Sequence, residues 1–344
     1  MSNRTILVTG GAGFIGVNTC SHFCKQGWEV VVFDNLSRKG TNLNLDWLQK
    51  NHDFRFIQGD VRDTDLVSTT LEEYQPEVAI HLAGQVAVTT SVQDPRTDFE
   101  VNALGTLNVL EGIRNQSPDT FFINASTNKV YGKMETEVIV ERDGRYEYAT
   151  RKNGISESQP LDFHSPYGCS KGAADQYTID YSRIYGLNTV TFRQSCIYGP
   201  HQMGIEDQGW VAWFIIAVLS DQPITIYGDG KQVRDVLHVQ DLIDCYQRAI
   251  DRREEINGQA FNIGGGANNK LSLLELLDLI VRISKKTPTT TEQEWRPGDQ
   301  PVFVCDLDKV NKVLGWSPQT DVQTGVESLI QWFLKCGKLD GESW

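Results

Sequence analysis

The hydrophobic positions at the start of the chain predict a strand followed by a helix. Thr5–Thr9 is a short apolar run rich in β-formers, and a helical pattern then continues to about Gln26. Between them lies Gly10-Gly-Ala-Gly13-Phe-Ile-Gly16, with glycines three residues apart. A second apolar run, Trp28–Phe33, ends at Asp34. The pattern therefore predicts a strand-helix-strand unit with a glycine-rich first turn.

The same alternation of short apolar runs with helical stretches continues through much of the chain. Further predicted strands lie at 54–57, 77–82, 120–124, 187–193 and 260–264. Strands that alternate with helices favour an α/β fold, in which a doubly wound parallel sheet of Rossmann type is covered by helices on both faces. In such a sheet, ligands bind at the carboxyl ends of the strands.

The later part of the chain predicts a smaller mixed α/β lobe. Residues 223–238 contain Gly-Asp-Gly and read as a hairpin, and 272–280 reads as an amphipathic helix. We expect a Rossmann domain at 1–193, with 237–263 returning to it, and a substrate-binding lobe at 194–236 and 264–344. The segment 135–164 is too polar for a core, and we interpret it as a surface loop.

The glycine spacing and Asp34 together indicate a dinucleotide site. The glycines allow a tight turn and a close approach of a pyrophosphate to the helix N-terminus. Asp34 would accept hydrogen bonds from ribose hydroxyls and repel a 2′-phosphate, which favours NAD over NADP. Arg38 and Lys39 could instead neutralise such a phosphate, or they could belong to a solvated loop.

We therefore expect NAD as the cofactor, bound by residues at the ends of successive strands. The predicted cofactor-binding residues are Gly10, Gly13, Phe14, Ile15, Gly16, Asp34, Asn35, Ser37, Arg38, Asp60, Val61, Leu82, Ala83, Gly84, Gln85, Asn102, Ser126, Tyr167 and Lys171.

Composition narrows the classes of partner. The 344-residue chain carries a formal net charge of −13, which argues against binding to nucleic acid or to an anionic membrane. The start of the chain lacks a signal-peptide pattern, so we expect a cytoplasmic protein. Its seven cysteines and six histidines form no cluster with zinc-site spacing. We expect buried thiols, a core position for His81, and no metal.

Tyr167 and Lys171 form the strongest catalytic candidate. Pro166 can open a helix, and a four-residue offset then places the phenol and the ammonium on the same helix face. A cation near a tyrosine favours the phenolate, which could then take a proton from an alcohol near neutral pH. An ordinary surface pair is the alternative.

The polar cluster Ser126-Thr-Asn-Lys-Val-Tyr-Gly132, followed by Tyr167 and Lys171, resembles the extended short-chain dehydrogenase/reductases that act on nucleotide sugars. The resemblance spans nearly the whole chain. It implies a catalytic triad of Thr127, Tyr167 and Lys171, in which Thr127 orients the reacting oxygen. Ser126 is the competing hydroxyl. Family members that dehydrate a hexose carry an acid pair after this threonine, whereas this chain has Asn128 and Lys129, which favours epimerisation.

The resemblance also implies a substrate site. Arg234 and Arg296 match family arginines that bind the substrate diphosphate, and Asp299 is a candidate ribose partner. Many relatives have an asparagine near Cys196, so the wall that faces the hexose is specialised here. The complete set of predicted substrate-binding residues is Gln85, Thr127, Gln194, Cys196, Gln208, Trp210, Val211, Arg234, Arg296 and Asp299.

Four stretches, at 126–132, 167–177, 208–210 and 231–238, resemble epimerases that invert C2 of a CDP-linked hexose. The resemblance implies a 2-keto intermediate and tightly held NAD. The alternatives are a UDP-hexose 4-epimerase, a net dehydrogenase and a non-catalytic Rossmann sensor. We also expect a homo-oligomer.

Overall fold

A computed structural model describes residues 4–296 and 299–336. They form two compact units, neither of which is continuous in sequence. The first unit holds the described residues of Met1–Val130, Ser165–Arg193 and Ile243–Phe261. The second holds those of Tyr131–His164, Gln194–Leu242 and Asn262–Trp344. The predicted domains placed 131–164, 237–242 and 262–263 with the first unit. Their outer limits at 1 and 344 lie outside the described residues.

The strands are β1 (Thr5–Thr9), β2 (Glu29–Asp34), β3 (Arg55–Gln58), β4 (Val78–His81), β5 (Phe121–Thr127), β6 (Ile139–Arg142), β7 (Arg145–Tyr148), β8 (Thr189–Gln194), β9 (Cys196–Tyr198), β10 (Ile224–Tyr227), β11 (Val233–His238), β12 (Gln259–Ile263), β13 (Lys270–Ser272), β14 (Thr290–Gln293) and β15 (Val302–Phe303).

The α-helices are α1 (Phe14–Lys25), α2 (Thr41–Asn51), α3 (Thr64–Tyr74), α4 (Val88–Gln93), α5 (Pro95–Phe99), α6 (Gly105–Gln116), α7 (Ser165–Tyr185), α8 (Trp210–Leu219), α9 (Val239–Asp251), α10 (Arg253–Ile256), α11 (Leu273–Ser284), α12 (Asp308–Leu314) and α13 (Val322–Cys336). A π-helix occupies Glu100–Leu104, and a 3₁₀ turn occupies Asn128–Tyr131.

The first unit is built on a seven-stranded sheet in the order β12-β8-β5-β4-β1-β2-β3. Strand β1 pairs in parallel with β2 on one side and with β4 on the other. Its residues Ile6, Leu7 and Val8 are buried, as expected for a strand with helices on both faces. The strand order reverses direction beside β1, and the carboxyl ends of β1 and β4 therefore mark the ligand crevice. The prediction of a Rossmann-type doubly wound sheet is confirmed.

The second unit has its own hydrophobic core, formed by α8, α11 and α13 with β10 and β11. Helix α11 begins with a capping box, in which Ser272 and Glu275 satisfy each other's backbone amides. The predicted hairpin at 223–238 is wrong. Strand β10 pairs with β14, and β11 pairs with β13, β15 and β9. Gly228 and Gly230, both with positive φ, therefore connect strands of two different sheets.

The polar segment 135–164 is more ordered than the sequence suggested. It contains an antiparallel hairpin of β6 and β7, joined by Asp143 and Gly144, both with positive φ. Tyr148 and Ile155 are buried, and the Tyr148 hydroxyl donates to the Val302 carbonyl at 2.9 Å. The interpretation as a surface loop is therefore wrong for these two residues, because their apolar groups pack within the second unit.

Cysteine burial varies along the chain. Cys20, Cys245 and Cys305 are buried thiols, Cys24 and Cys196 are partly buried, and Cys169 is exposed on α7. The expectation of buried thiols is therefore wrong for Cys169. Among residues 4–296 and 299–336, no helix is both long and apolar enough to cross a membrane.

Candidate active site

The glycine-rich turn packs too closely for side chains at Gly10, Gly11 and Gly16. Gly10 has φ +70°, and a Cβ there would lie 2.7 Å from the Ala83 amide nitrogen. A Cβ on Gly16 would lie 2.1 Å from the Gly10 carbonyl oxygen. Gly13 caps α1, and only the Gly10 carbonyl would approach its added Cβ, at 3.1 Å. Phe14 and Ile15 begin the helix, so the turn presents backbone amides of the kind that bind a pyrophosphate.

We expect Gly16→Ala to abolish dinucleotide binding, because the added methyl group must displace the backbone of the turn. Gly186→Ala is the control. Its φ is +71° but its added Cβ meets nothing within 4 Å, so it should cost about 1–2 kcal/mol of stability without loss of cofactor. Titration calorimetry with NAD checks both variants. Wild-type affinity in Gly16→Ala would contradict the assignment of this turn to the cofactor.

Asp34 is fixed at the carboxyl end of β2. Its carboxylate oxygens accept hydrogen bonds from the amides of Ala12, at 3.0 Å, and Leu36, at 2.8 Å. Burial raises the pKa of Asp34, and these amides together with the Arg38 charge act in the opposite direction. The carboxylate therefore joins the glycine turn to the loop that follows β2. This is the position from which it would meet an adenosine ribose.

The end of β3 is organised by Asp60. Its carboxylate accepts hydrogen bonds from Arg62, at 2.8 and 2.9 Å, and from the Asn35 side chain at 2.8 Å. Hydrogen bonding by Arg62 holds the pKa of Asp60 well below its usual range. Asn35 also accepts from the amide of Ser37. The neighbouring Val61 is buried, and its carbonyl accepts from Asn108.

Asn102 fixes the turn that follows β4. Its side-chain oxygen accepts from the Gln85 amide at 2.9 Å, and its side-chain nitrogen donates to the Gln85 carbonyl at 3.0 Å. A Cβ on Gly84 would lie 3.0 Å from the same Asn102 oxygen. The backbone from Leu82 to Gln85 is thus held next to the glycine turn, with Ala83 against Gly10. Asn102 lies on the π-helix, a feature frequent at functional sites.

The phenol of Tyr167 lies with Thr127 in a buried pocket of the first unit. Burial raises the pKa of Tyr167 to about 12, and a hydrogen bond with the Thr127 hydroxyl acts against that rise. The Asp98 charge also contributes to the rise, whereas the Arg38 charge acts against it. The protein alone therefore keeps the phenol protonated. A positive charge close to the phenol would favour the phenolate.

Lys171 is buried one helical turn beyond Tyr167. Its ammonium donates to the Ala125 carbonyl at 2.6 Å. Burial lowers the pKa of Lys171 to about 8, while the charges of Asp175 and Asp98 raise it. Lys171 therefore changes from the ammonium to the neutral amine at a pH near 8.

Ser126 faces a buried ion pair. Its hydroxyl donates to Asp175 at 2.8 Å, and Arg193 binds the same carboxylate through two nitrogens, at 2.9 and 3.0 Å. Successive residues of a strand point to opposite faces, so Ser126 and Thr127 serve different partners. This geometry favours Thr127 over Ser126 as the hydroxyl beside Tyr167.

His81 is a core residue, as predicted. Its two ring nitrogens lie 2.7 and 3.1 Å from the hydroxyls of Thr9 and Thr106. Burial, followed by the Lys171 charge, lowers its pKa to about 3. His81 is therefore neutral at physiological pH.

The two predicted phosphate-binding arginines lie in the second unit, and both meet carboxylates there. Arg234 is buried and donates to Asp299 at 2.6 Å. Arg296 pairs with Asp207 at 2.9 Å, and its guanidinium carbon lies 3.9 Å from the centre of the Tyr227 ring. Asp299, predicted as a ribose partner, is thus the counter-ion of Arg234.

The other predicted substrate residues of the second unit lie on several elements. Gln194 is buried at the end of β8, and Cys196 begins β9. Gln208 pairs its backbone with Ile205, and Trp210 begins α8 with a buried indole nitrogen that has no hydrogen-bond partner among the described residues. The Val211 side chain packs in the hydrophobic core, which leaves only its backbone for a ligand.

Sequence reasoning missed three buried charged residues of the first unit: Asp98, Asp175 and Arg193. Asp175 follows Lys171 by four residues, so its position on the same helix face was a usable signal. Asp98 and Arg193 carried no such signal. Together, the site offers a phenol, a hydroxyl and a lysine beside a dinucleotide cradle, which suits proton and hydride exchange at an alcohol carbon.

Comparison with known proteins agrees with this chemistry. The family model described as GDP-mannose 4,6 dehydratase matches residues 7–329. CDP-paratose 2-epimerase of Salmonella typhi is 47% identical over 95% of this chain and 98% of its own length. A putative UDP-glucose 4-epimerase of Methanocaldococcus jannaschii is 32% identical over 95% of this chain and 97% of its own.

A solved structure extends the similarity to the fold. The UDP-glucose 4-epimerase of Thermus thermophilus, solved in complex with NAD, superposes with a TM-score of 0.80 at 32% identity. The match covers 96% of this chain and 99% of that one. The chain therefore belongs to the extended short-chain dehydrogenase/reductase family of NAD-dependent nucleotide-sugar epimerases and dehydratases.

Proposed function

We propose that this protein is an NAD-dependent epimerase that inverts C2 of a CDP-linked dideoxyhexose and so interconverts CDP-paratose and CDP-tyvelose. The observation that carries the proposal is the 47% identity to a CDP-paratose 2-epimerase over 95% of the chain. The stretches at 126–132, 167–177, 208–210 and 231–238, which resemble CDP-tyvelose 2-epimerase, support the same assignment.

In this mechanism, the chain's own residues move one proton. The Tyr167 phenolate takes the proton of the sugar hydroxyl, and the Thr127 hydroxyl orients that oxygen. Lys171, as an ammonium, stabilises the negative charge on the phenol oxygen. NAD, held by the glycine turn and Asp34, would supply reversible hydride transfer at C2 when bound. Tyr167 gives its proton back after the 2-keto sugar has presented its other face, so no net oxidation occurs.

The residues that follow Thr127 support epimerisation over dehydration. Elimination of water requires an acid and a base beside the hexose, and this chain places Asn128 and Lys129 where dehydrating relatives carry carboxylates. The Asn128 side chain is buried and accepts a hydrogen bond from Thr127 at 3.3 Å. A neutral amide in this position can orient the threonine, but it cannot exchange protons.

The nucleotide would be anchored by the second unit. Because the sugar must present its other face during catalysis, the diphosphate must stay in place. Arg234 and Arg296 supply planar guanidinium groups suited to phosphate oxygens. The ion pairs with Asp299 and Asp207 support the proposal that both arginines can bind anionic oxygens. A diphosphate would replace or share these partners.

Purified protein incubated with CDP-paratose in deuterated and ordinary water should yield the C2 epimer with its C2 hydrogen retained. Retention is expected because the hydrogen never exchanges with solvent. Sugar-proton NMR measures both conversion and isotope content. Deuterium at C2 would contradict the proposed hydrogen return, and a lack of conversion would contradict the CDP-hexose assignment.

A UDP-hexose 4-epimerase is the second candidate, favoured by the 32% identities to the epimerases of M. jannaschii and T. thermophilus. The same triad would serve C4. UDP-glucose in a parallel incubation separates the two candidates, because formation of UDP-galactose without conversion of CDP-paratose would move the chemistry to C4.

A further inference from the structure

Asp98 is a buried carboxylate with a defined set of partners. It lies on α5 and is 1% exposed. One oxygen accepts a hydrogen bond from the Ser170 hydroxyl at 2.5 Å, and the other accepts from the Asn102 side chain at 3.1 Å. A carboxylate without solvent must gain from its surroundings what it loses in hydration. Its position therefore requires a functional explanation.

The two hydrogen-bond partners of Asp98 lie next to two different parts of the active site. Ser170 precedes Lys171 on α7, and Asn102 holds the backbone of Gln85. Asn102 also donates to Ser170 at 3.1 Å, so Asp98, Ser170 and Asn102 form a closed network. An added Cβ on Gly84 would lie 3.0 Å from Asn102 and 4.0 Å from the Lys171 nitrogen. The network thus joins the catalytic helix to the turn after β4.

Besides Asp98 on α5, the titratable and charged groups around Lys171 lie on α7, β8 and β4 and in the loop after β2. On α7 lie Tyr167, a neutral phenol, and Asp175. On β8, Arg193 pairs with Asp175 through two hydrogen bonds. His81 on β4 is neutral, and Arg38 after β2 acts on Tyr167.

Asp98 and Asp175 differ in whether a cationic side chain neutralises their negative charge. Asp175 has the larger influence on Lys171, but Arg193 already neutralises its carboxylate. Among the described residues, the hydrogen-bond donors to Asp98 are the neutral side chains of Ser170 and Asn102. Asp98 is therefore the buried negative charge whose field at Lys171 is not cancelled by a cationic partner of its own.

We propose that Asp98 is a positioning residue that keeps Lys171 in its ammonium form and ties α7 to the turn that carries Gln85. This inference rests on the proposed roles of Tyr167 and Lys171. Removal of the Asp98 charge makes each nearby proton easier to lose. Both limbs of the pH–activity profile, set by the phenol and the ammonium, then move to lower pH.

Asp98→Asn removes the charge while the network keeps its hydrogen bonds. The amide oxygen can accept from Asn102, and the amide nitrogen can donate to Ser170. The Ser170 hydroxyl can then donate to the Tyr167 carbonyl, which lies 3.2 Å away. Asp98→Ser is a second charge-free variant with room for water, and Asp98→Glu keeps the charge. Asp94→Asn, at the exposed N-cap of the same helix, removes an equal charge and preserves the cap.

The test is the titration of Lys171 by NMR of protein with ¹³C-labelled lysine, in which the Lys171 signal is assigned by its loss in Lys171→Arg. The wild-type midpoint should lie near the pKa of about 8. We expect Asp98→Asn and Asp98→Ser to lower it by about one pH unit, and Asp94→Asn to leave it in place. Asp98→Glu keeps the charge, so its Lys171 midpoint should lie close to the wild-type value. The pH–activity profile of Asp98→Asn should move to lower pH.

The proposal is wrong if Asp98→Asn or Asp98→Ser folds and its Lys171 midpoint equals that of the wild-type protein. A shift in Asp98→Glu as large as in Asp98→Asn would also overturn it, because lost packing rather than lost charge would then be the cause. The titration needs no sugar substrate. Failure of the epimerase assignment would therefore appear in the turnover assays alone and would leave the Lys171 midpoints interpretable.

Discussion

Tyr167→Phe should lower turnover by roughly 10²–10⁴-fold, the usual contribution of a positioned acid–base group. The substitution removes one oxygen from a ring that is 8% exposed, so the surrounding packing is kept. The Thr127 hydroxyl loses one partner, at a cost of about 1 kcal/mol in stability. The large effect therefore falls on the chemical step, because the variant lacks the hydroxyl that is proposed to exchange the proton.

Steady-state turnover of the nucleotide sugar, thermal unfolding and bound-NAD content should be measured on the same preparations. Tyr177→Phe is the matched control, because Tyr177 lies on the same helix and is 47% exposed. It should keep wild-type turnover. Near-normal activity of Tyr167→Phe, with NAD bound, would show that another group moves the proton.

Arg193→Met should reduce the free energy of unfolding by about 3–5 kcal/mol, the cost of leaving one partner of a buried ion pair alone. The Asp175 side chain is fully shielded from solvent, and the Arg193 side chain is 5% exposed. Without the arginine, the carboxylate retains hydrogen bonds from the Ser126 hydroxyl and the Gln176 side-chain amide and the more distant charge of Lys171. The two hydrogen-bond donors are neutral, so they do not replace the lost ion pair. Urea unfolding followed by circular dichroism measures the loss.

Two further variants test the explanation. Arg252→Met breaks an exposed pair with Glu255 and should produce no resolvable change in stability. The double variant Asp175→Leu, Arg193→Met removes both charges and should recover much of the stability lost in Arg193→Met. If the double variant is as unstable as the single one, the loss comes from packing rather than from an unpaired charge.

The strands of the large sheet were predicted well, because the sequence patterns that indicate them are local. Each strand of the first unit up to β5 is a short apolar run bounded by turn residues, and β1 was predicted with its observed limits, Thr5–Thr9. The turn glycines are equally local, since Gly10 and Gly16 are required by contacts within the strand-helix unit. Tyr167 and Lys171 could be paired because helix geometry alone fixes their spacing.

The predictions that failed depend on partners far away in sequence. Residues 224–227 were read as half of a hairpin, but their backbone pairs with β14, more than sixty residues later. The Asp143-Gly144 turn was a local signal that the overall polarity of its segment concealed. Asp98 could not be identified, because DPRTDFE reads as an exposed, charged stretch until tertiary contacts bury its second aspartate.

The substrate residues remain predictions, for a physical reason. The family resemblance suggested that Arg234 and Arg296 bind phosphate, and it did not predict that Asp299 and Asp207 would pair with them. An arginine attracts carboxylates and phosphates by the same donor geometry. Only a measurement with the nucleotide sugar can rank these two kinds of partner.

The π-helix at Glu100–Leu104 also bears on how this helical region tolerates insertions and deletions over evolution. A π-turn holds one residue more than an α-turn, so the residues before it and those after it follow separate helical registers. Deletion of one residue within the π-turn would convert it to an α-turn and leave the parts before and after it in their present orientations. A deletion elsewhere in a continuous α-helix would instead rotate one part by about 100° relative to the other. The extra residue thus allows α6 to keep its packing on the sheet while the active-site side chains keep theirs.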